Sequence, residues 1–419
     1  MPHRLIPRLV GGFSVLVAIT ACGAAAGVEI GAAPTTTRIP DAEQQSDALQ
    51  ASAIAASSTA LRQDPTTTTS PATTTTMAPT TTTTRVPTTT LSLEFVERIT
   101  GDITPKSVVY SGDGLFFAQN MMYRHTITVY DRDFSLVSTL PDSIDPSAFG
   151  LDGDGVLQGA PVEAAFTSDG RYGYISNYQM FGPGYSNAGG DECNLAAWDE
   201  SFVYRIDTST LTIDQVIPVG AVPKFIAVTP DDSNVLVTNW CTFDLSLIDA
   251  ATGQETTRVA LGRHPRGIAV ASDSTAAYVA VMGSRDIAIV SLTDLSVGWL
   301  EDVGANPRHL VLSPDNRHLY ATLNGEGRLA KIDLETGEVV ASVASGSAPR
   351  SMAISDDGDS LYVVNYGSNT ISKVLTADFS VAQTIDVDER PIGITFDPVD
   401  RTVWVANYSG SIMVFAEQP

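Results

Sequence analysis

Four stretches decide the fold: PKFIAVTPDDSNVLVTNW from Pro223, PRGIAVASDSTAAYVAVM from Pro265, PRHLVLSPDNRHLYATLN from Pro307 and PRSMAISDDGDSLYVVNY from Pro349. They align without a gap, their opening prolines lie 42 residues apart, and a further 42 residues reach Pro391 in PIGITFDPVDRTVWVANY. Upstream, PVEAAFTSDGRYGYISNY opens at Pro161 and PKSVVYSGDGLFFAQN at Pro105, 62 and 56 residues before their successors, so these two units carry insertions of 20 and 14 residues. Seven units result.

Each unit divides into four short strands. Ile268-Ala269-Val270 exemplifies a first strand, followed by a turn rich in Asp and Gly such as Asp356-Asp357-Gly358. Leu361-Tyr362-Val363-Val364 exemplifies a second and Ser246-Leu247-Ile248 a third; Thr257-Arg258-Val259, after the turn Ala251-Thr252-Gly253, exemplifies a fourth. Short strands rich in Val, Ile and Tyr, punctuated by Gly, Asp and Pro at this period, predict an all-β fold, a seven-bladed β-propeller with four-stranded blades. A helical solenoid of similar period needs runs of about ten or more residues with helical periodicity, and the chain has none. Only 28 residues follow Pro391, enough for three strands. The fourth strand of the last blade is therefore expected from residues 91–101, LSLEFVERITG. Its Ile99 precedes Pro105 by six residues, as Ile217, Val259, Val343 and Ile385 precede their own prolines. Closing the ring in this way leaves no exposed sheet edge.

The units resemble the YVTN-type β-propeller repeat of bacterial and archaeal surface and periplasmic proteins, whose pattern is roughly P-x-G-I-A-x-S-P-D-G-x-x-L-Y-V-x-N-Y. The best copies begin at Pro349 and Pro391; blades four and five depart, with Val281 and Leu323 where others carry Asn. The resemblance spans 91–419 and implies architecture, since propellers of this kind serve as scaffolds, binding modules and enzyme supports alike.

Ahead of the repeats the composition changes. Residues 1–21 place Arg4 and Arg8 before an apolar run, the pattern of an export signal. The run ends Ile19-Thr20-Ala21-Cys22-Gly23, which resembles the lipobox of bacterial lipoproteins and implies that Cys22 is lipidated and becomes the first mature residue; ordinary secretion with a chance Cys is the alternative. Acyl chains of about 0.8 kcal/mol per buried CH₂ then anchor the protein to the outer face of the cytoplasmic membrane. Residues 22–90 hold few large apolar side chains and, between Pro65 and Thr90, 16 Thr in 26 positions. Such a segment cannot offset its chain entropy by burial and is expected to be a disordered tether, either a glycan acceptor or a plain spacer. The domains expected are thus 1–21 signal, 22–90 linker and 91–419 propeller.

Composition excludes other classes. With 43% hydrophobic residues among 419, whole-chain disorder is out, and 48 acidic against 24 basic residues, a net −24, argue against nucleic acid as partner. Once Cys22 is set aside, Cys193 and Cys241 remain, in equivalent connections of blades two and three, and an exported protein is expected to join them in a disulfide that pins the insertion 179–201. No standard catalytic signature occurs, and neither catalytic residues, a metal nor a cofactor is expected. His264 and His309 lack a third ligand of compelling spacing, and Asp152-Gly153-Asp154-Gly155 with Glu163 lacks the oxygen ligand and Gly of a calcium loop.

Comparison between blades finds the candidate site. Directly after the opening proline stand Lys106, Lys224, Arg266, Arg308 and Arg350, a series broken by Val162 and Ile392. At the end of the second strand stand Asn120, Asn177, Asn239, Asn365 and Asn407, followed by aromatics that include Trp240, Tyr366 and Tyr408. Both positions open on one face of a propeller, so five cations and five amides are expected to ring the channel mouth and bind an anionic or hydroxyl-rich ligand. The competing reading is that these side chains tie neighbouring blades together. The function expected is a non-catalytic, lipid-anchored, monomeric binding scaffold at the cell surface, with an anionic glycan, the cell wall or a protein as partner. An enzyme of lactonase, lyase or quinoprotein-like kind using the same face is the alternative.

Overall fold

The computed structural model describes residues 86–153, 155–187, 190–193 and 198–419; the signal, the lipidation site and nearly all of the expected tether lie outside the described residues. Seven antiparallel sheets follow one another along the chain. Blade three shows the plan: Pro223–Val228, Asn234–Asn239, Asp244–Asp249 and Gln254–Ala260 pair in sequence order. The first strands of successive blades touch in cyclic order, the last meeting the first, so the sheets close into a propeller.

Burial explains the strand patterns. Second strands such as Ser360–Asn365 and Thr402–Asn407 are buried along their whole length, because a neighbouring blade covers each face. They therefore read as unbroken apolar runs, not alternations. Outermost strands such as Val339–Ala344 are exposed at alternate positions. Each blade interface holds its own apolar cluster: Leu236 and Leu247 meet Ile268 and Val279 between blades three and four, and Phe116 stacks on Trp404 at 3.9 Å between blades one and seven. Gly267 and Gly393, two residues after their prolines, allow the next blade's backbone to approach; a Cβ on Gly393 would lie 2.6 Å from Ser107 Cα.

The ring closes as the repeat count requires. Ser92–Thr100 pairs antiparallel with Ser411–Gln418, and Ile99 lies opposite Ile412. The fold begins earlier than expected, however: Thr88–Thr90 form a 3₁₀ turn, and Thr88 is fully buried. Asp357 of blade six accepts from the Thr88 amide (3.0 Å) and hydroxyl (2.9 Å). Lys373 donates to the carbonyls of Thr88 (2.5 Å) and Leu91 (2.8 Å) and pairs with Glu417 (2.7 Å), which also accepts from Arg401 (2.6 Å) and Tyr362 (2.5 Å). One buried lysine thus joins the entering chain to the terminal strand.

Blade two carries the upstream insertion as a short extra strand, Ser143–Ile144, beside Leu157–Phe166. Beneath it Asp142 is buried; Tyr204 bonds its carboxyl, and with the Asn177 amide turned nitrogen-inward its Nδ2 donates to Oδ2 (2.6 Å). Burial, opposed by the bonds from Tyr204 and Gly159, pushes this carboxyl from 3.8 up to about 8.

Two outcomes follow. Replacing Lys373 by Met leaves Glu417 to Arg401 and Tyr362 alone and takes the donor from the Thr88 and Leu91 carbonyls, and should cost roughly 2–4 kcal/mol in denaturant unfolding; a loss below about 1 kcal/mol contradicts the latch. For Asp142, the folded chain keeps its proton through the window from 3.8 to about 8 while the unfolded chain has lost it, so this group's contribution to stability falls as pH rises across that window. Asp142→Asn should melt above the wild type at pH above 8 and alongside it near pH 4, and an unchanged pH profile contradicts the assignment.

Candidate functional site

A cavity of about 600 Å³ opens at the end of the ring where first strands begin. Two repeat positions supply most of its wall. The position after the opening proline contributes Lys106, Val162, Lys224, Arg266, Arg308 and Arg350. The position after the second-strand asparagine column contributes all seven blades' residues, with Tyr178, Trp240, Tyr366 and Tyr408 as the aromatic members and Met121, Met282 and Asn324 in the other blades.

Backbone bonds hold these two positions side by side. In blades three to seven the amides of Trp240, Met282, Asn324, Tyr366 and Tyr408 donate to the carbonyls of Val222, His264, Asn306, Ala348 and Arg390 at 2.9–3.2 Å. Those five acceptors immediately precede the prolines and all have positive φ, between 51° and 64°. A non-glycine residue held there costs of order 1 kcal/mol or more, so the turn is imposed by its surroundings.

The position after the proline is also fixed from the adjacent blade. Ser107 donates to the Val162 carbonyl (2.9 Å), Thr238 to that of Arg266 (2.7 Å), Thr322 to that of Arg350 (2.9 Å) and Ser351 to that of Ile392 (2.7 Å). Blade-to-blade bonding therefore runs through backbone carbonyls and small hydroxyls. Among the cations, Lys224 reaches Asp191 of the blade-two insertion and Arg308 reaches Met282 Sδ of the preceding blade at 3.7 Å.

The amides behave oppositely, and here the expectation is corrected. Asn120, Asn177, Asn239, Asn365 and Asn407 are fully buried and none lines the cavity. Asn239 donates to Asp244 and Ser246 (both 2.7 Å), Asn365 to Thr370 (3.1 Å) and Ser372 (3.0 Å), Asn120 to Thr128 (3.1 Å) and Asn407 to Ser411 (3.3 Å). Each amide ties its second strand to the third of the same blade, while Asn177 faces Asp142. The asparagine column is built into the blades; the cationic column lines the cavity.

The electrostatics of the wall are unfavourable as it stands. Lys106, Lys224, Arg266 and Arg308 are only 5–8% exposed. Lys224 pairs with Asp191 and lies over Tyr178 (4.1 Å) and Trp240 (5.0 Å). Burial, opposed by Asp191, brings this ammonium down to about 7. Among the described residues no carboxylate lies within ion-pair distance of Lys106, Arg266, Arg308 or Arg350. Burial and repulsion from Arg266 push Lys106 well below the ordinary lysine value, although Glu163 pulls the other way. Burial and mutual repulsion likewise lower Arg266 and Arg308, and burial lowers Arg350. Guanidinium groups do not give up their proton in proteins, so the strain appears as lost stability. Arg350 stacks on Tyr366 at 3.6 Å with its Nε unpartnered. Tyr408 is pushed up to about 12 by burial against three opposing arginines and stays a neutral donor.

Five wall residues lie outside the two columns: Thr104, Met122 and Tyr123 of blade one, Asp191 and Arg390. Asp191 enters from the blade-two insertion, which has no counterpart to align with, and Arg390 occupies the position before Pro391, which the column after the proline passes over. The expected disulfide is present, Cys193 to Cys241, with Cα atoms 5.2 Å apart. His264 stacks on Trp240 at 4.3 Å, and His309 is held to about 3 by burial and by Arg266 and Arg308, packed edge-on against Phe225. Glu163 lies in a strand; Asp154 lies outside the described residues.

Residues 291–387 match the family model described as "Lactonase, 7-bladed beta-propeller". A hydrazine synthase from Kuenenia stuttgartiensis superposes with a TM-score of 0.59 at 16% identity, over 75% of this chain and 96% of that one. No curated protein matches the sequence. At that identity the structural likeness speaks for the β-propeller fold alone.

Proposed function

We propose that this β-propeller is a non-catalytic, anion-binding module displayed outside the cytoplasmic membrane by a lipid on Cys22, with the mouth gripping a multivalent anionic ligand. One observation carries this reading: three buried cations, Lys106, Arg266 and Arg308, and the half-buried Arg350 surround a single cavity with no carboxylate in ion-pair distance among the described residues. Buried charges without partners are destabilising, and a chain retains them where a ligand supplies the missing charge. Guanidinium groups on three successive blades suit forked hydrogen bonding to carboxylate, phosphate or sulfate, and the aromatic position offers stacking faces to a sugar ring. An anionic glycan, a wall polymer or an acidic protein segment all carry that chemistry. The YVTN-type repeat and the lipobox-like Ile19-Thr20-Ala21-Cys22-Gly23 support the surface location.

The match of residues 291–387 to the lactonase model favours a second reading, an enzyme working at the same mouth. It requires turnover of a lactone, whereas the binding reading requires saturable anion binding without turnover.

Replacing Arg266, Arg308 and Arg350 together by Met separates ligand binding from structure. The variant should melt above the wild type, by roughly 1–4 kcal/mol of stability, and should lose the thermal shift that citrate or inorganic phosphate gives the wild type at constant ionic strength. A lower melting temperature, with no anion shift in the wild type, contradicts the reading. Separately, Cys22→Ser should move the protein from the membrane fraction to the medium; retention in the membrane contradicts lipid anchoring.

A further inference from the structure

Asp191 is the single carboxylate that lines the cavity among the described residues, and it comes from outside the repeat. Its side chain contacts Lys224 and accepts from Tyr178 (3.0 Å), and its backbone carbonyl accepts from Trp240 Nε1 (2.8 Å). Two residues on, Cys193 is bonded to Cys241, which directly follows Trp240 in the chain. The carboxylate is therefore held at the wall from both sides: by the indole on its own carbonyl and by a covalent bond two residues away. Its side chain is 72% exposed, whereas that of Lys224 is 8% exposed. Asp191 thus approaches the lysine from the open side of the cavity, the side by which a ligand enters. Partial desolvation by the cavity walls would raise this carboxyl, but Lys224 and Tyr178, with Arg266 beyond, hold it at about 2, so it remains an anion across the physiological range.

Resting on the anion-binding reading above, we propose that Asp191 is a tethered competitor for the site. Its carboxylate takes the place of a ligand's anionic group on Lys224, and the Cys193–Cys241 disulfide keeps it there. A ligand meets Lys106, Arg266, Arg308 and Arg350 directly and gains the fifth cation only by displacing Asp191. A tethered group competes at an effective concentration in the millimolar range or above, set by how tightly its tether confines it. Cutting the disulfide loosens that confinement. An external dithiol supplies two electrons and two protons, the S–S bond becomes two thiols, and the dithiol leaves as its own cyclic disulfide. The mouth is then a site whose affinity rises under reducing conditions.

Calorimetric titration of citrate into the purified full-length chain tests this in four forms: oxidised wild type, wild type in dithiothreitol, Cys193→Ser with Cys241→Ser, and Asp191→Asn with and without dithiothreitol. Circular dichroism confirms that each is folded. Asp191→Asn should bind about tenfold tighter than the oxidised wild type, as expected when a millimolar internal competitor is removed. Opening the disulfide by either route should move the wild type toward that affinity, and Asp191→Asn should not respond to dithiothreitol. Tighter binding by Asp191→Asn with no effect of opening the disulfide makes Asp191 a fixed charge and overturns the proposal, as does equal or weaker binding by Asp191→Asn. Those results leave the anion-binding reading intact. Failure of every form to bind citrate overturns both.

Discussion

The backbone carbonyl of the residue after the opening proline is the point on which the mouth depends. In four of the seven blades a Ser or Thr hydroxyl from the adjacent blade donates to it. In blades three to seven the carbonyl just before the proline accepts from the residue after the second strand. Once the backbone is fixed in this way, the side chain at that position is not what holds the turn. In six of the seven blades it lines the channel, and Val162 among the cations shows that the position accepts an apolar residue. Inner strands, buried on both faces, supply the rigid ring on which this freedom rests, and the Lys373–Glu417 pair locks the two ends of that ring together.

Charge is distributed to match. At the end of the blades away from the mouth, the turn between first and second strands repeats a hydroxyl followed two residues later by Asp: Thr167 and Asp169, Thr229 and Asp231, Ser313 and Asp315, Ser355 and Asp357. These carboxylates accept from hydroxyls and amides of their own turns, Asp231 also from Ser274 and Asp357 also from Thr88, which is why they lie below the usual carboxylate range; Asp231 and Asp357 sit at about 2. Acidic side chains thus recur in the turns away from the mouth, while Lys106, Lys224, Arg266, Arg308, Arg350 and Arg390 line the cavity. A protein optimised for stability alone would not leave the buried Arg266 and Arg308 beside Arg350 and repelling one another. Binding sites are where such costs are tolerated.

Much of this was legible in the sequence because the protein contains seven comparable copies of itself. The 42-residue spacing of the prolines sets blade count and strand order, Ile99 marks the closing strand, and the column Lys106, Lys224, Arg266, Arg308, Arg350 marks the wall. The asparagine column misleads for a physical reason. A recurring polar residue looks the same whether it faces ligand or neighbour, and the difference lies in its partners. Asp244 and Ser246 follow Asn239 by five and seven residues, and Thr370 and Ser372 follow Asn365 by the same intervals, a spacing that brings them opposite the amide across one hairpin. Thr88 stands in a run of identical threonines, so only its burial against blade six distinguishes it. Asp191 lies in an insertion, where comparison between blades has nothing to compare.

On the reading proposed above, the buried Arg266 and Arg308 of blades four and five, with Arg350 of blade six, await an anion. Crystals of the protein soaked in selenate, with the selenium located by its anomalous scattering, test this most directly. A selenium peak is expected inside the mouth, within hydrogen-bonding reach of Arg266, Arg308 and Arg350. Peaks confined to the outer surface, with none in the mouth, would contradict it.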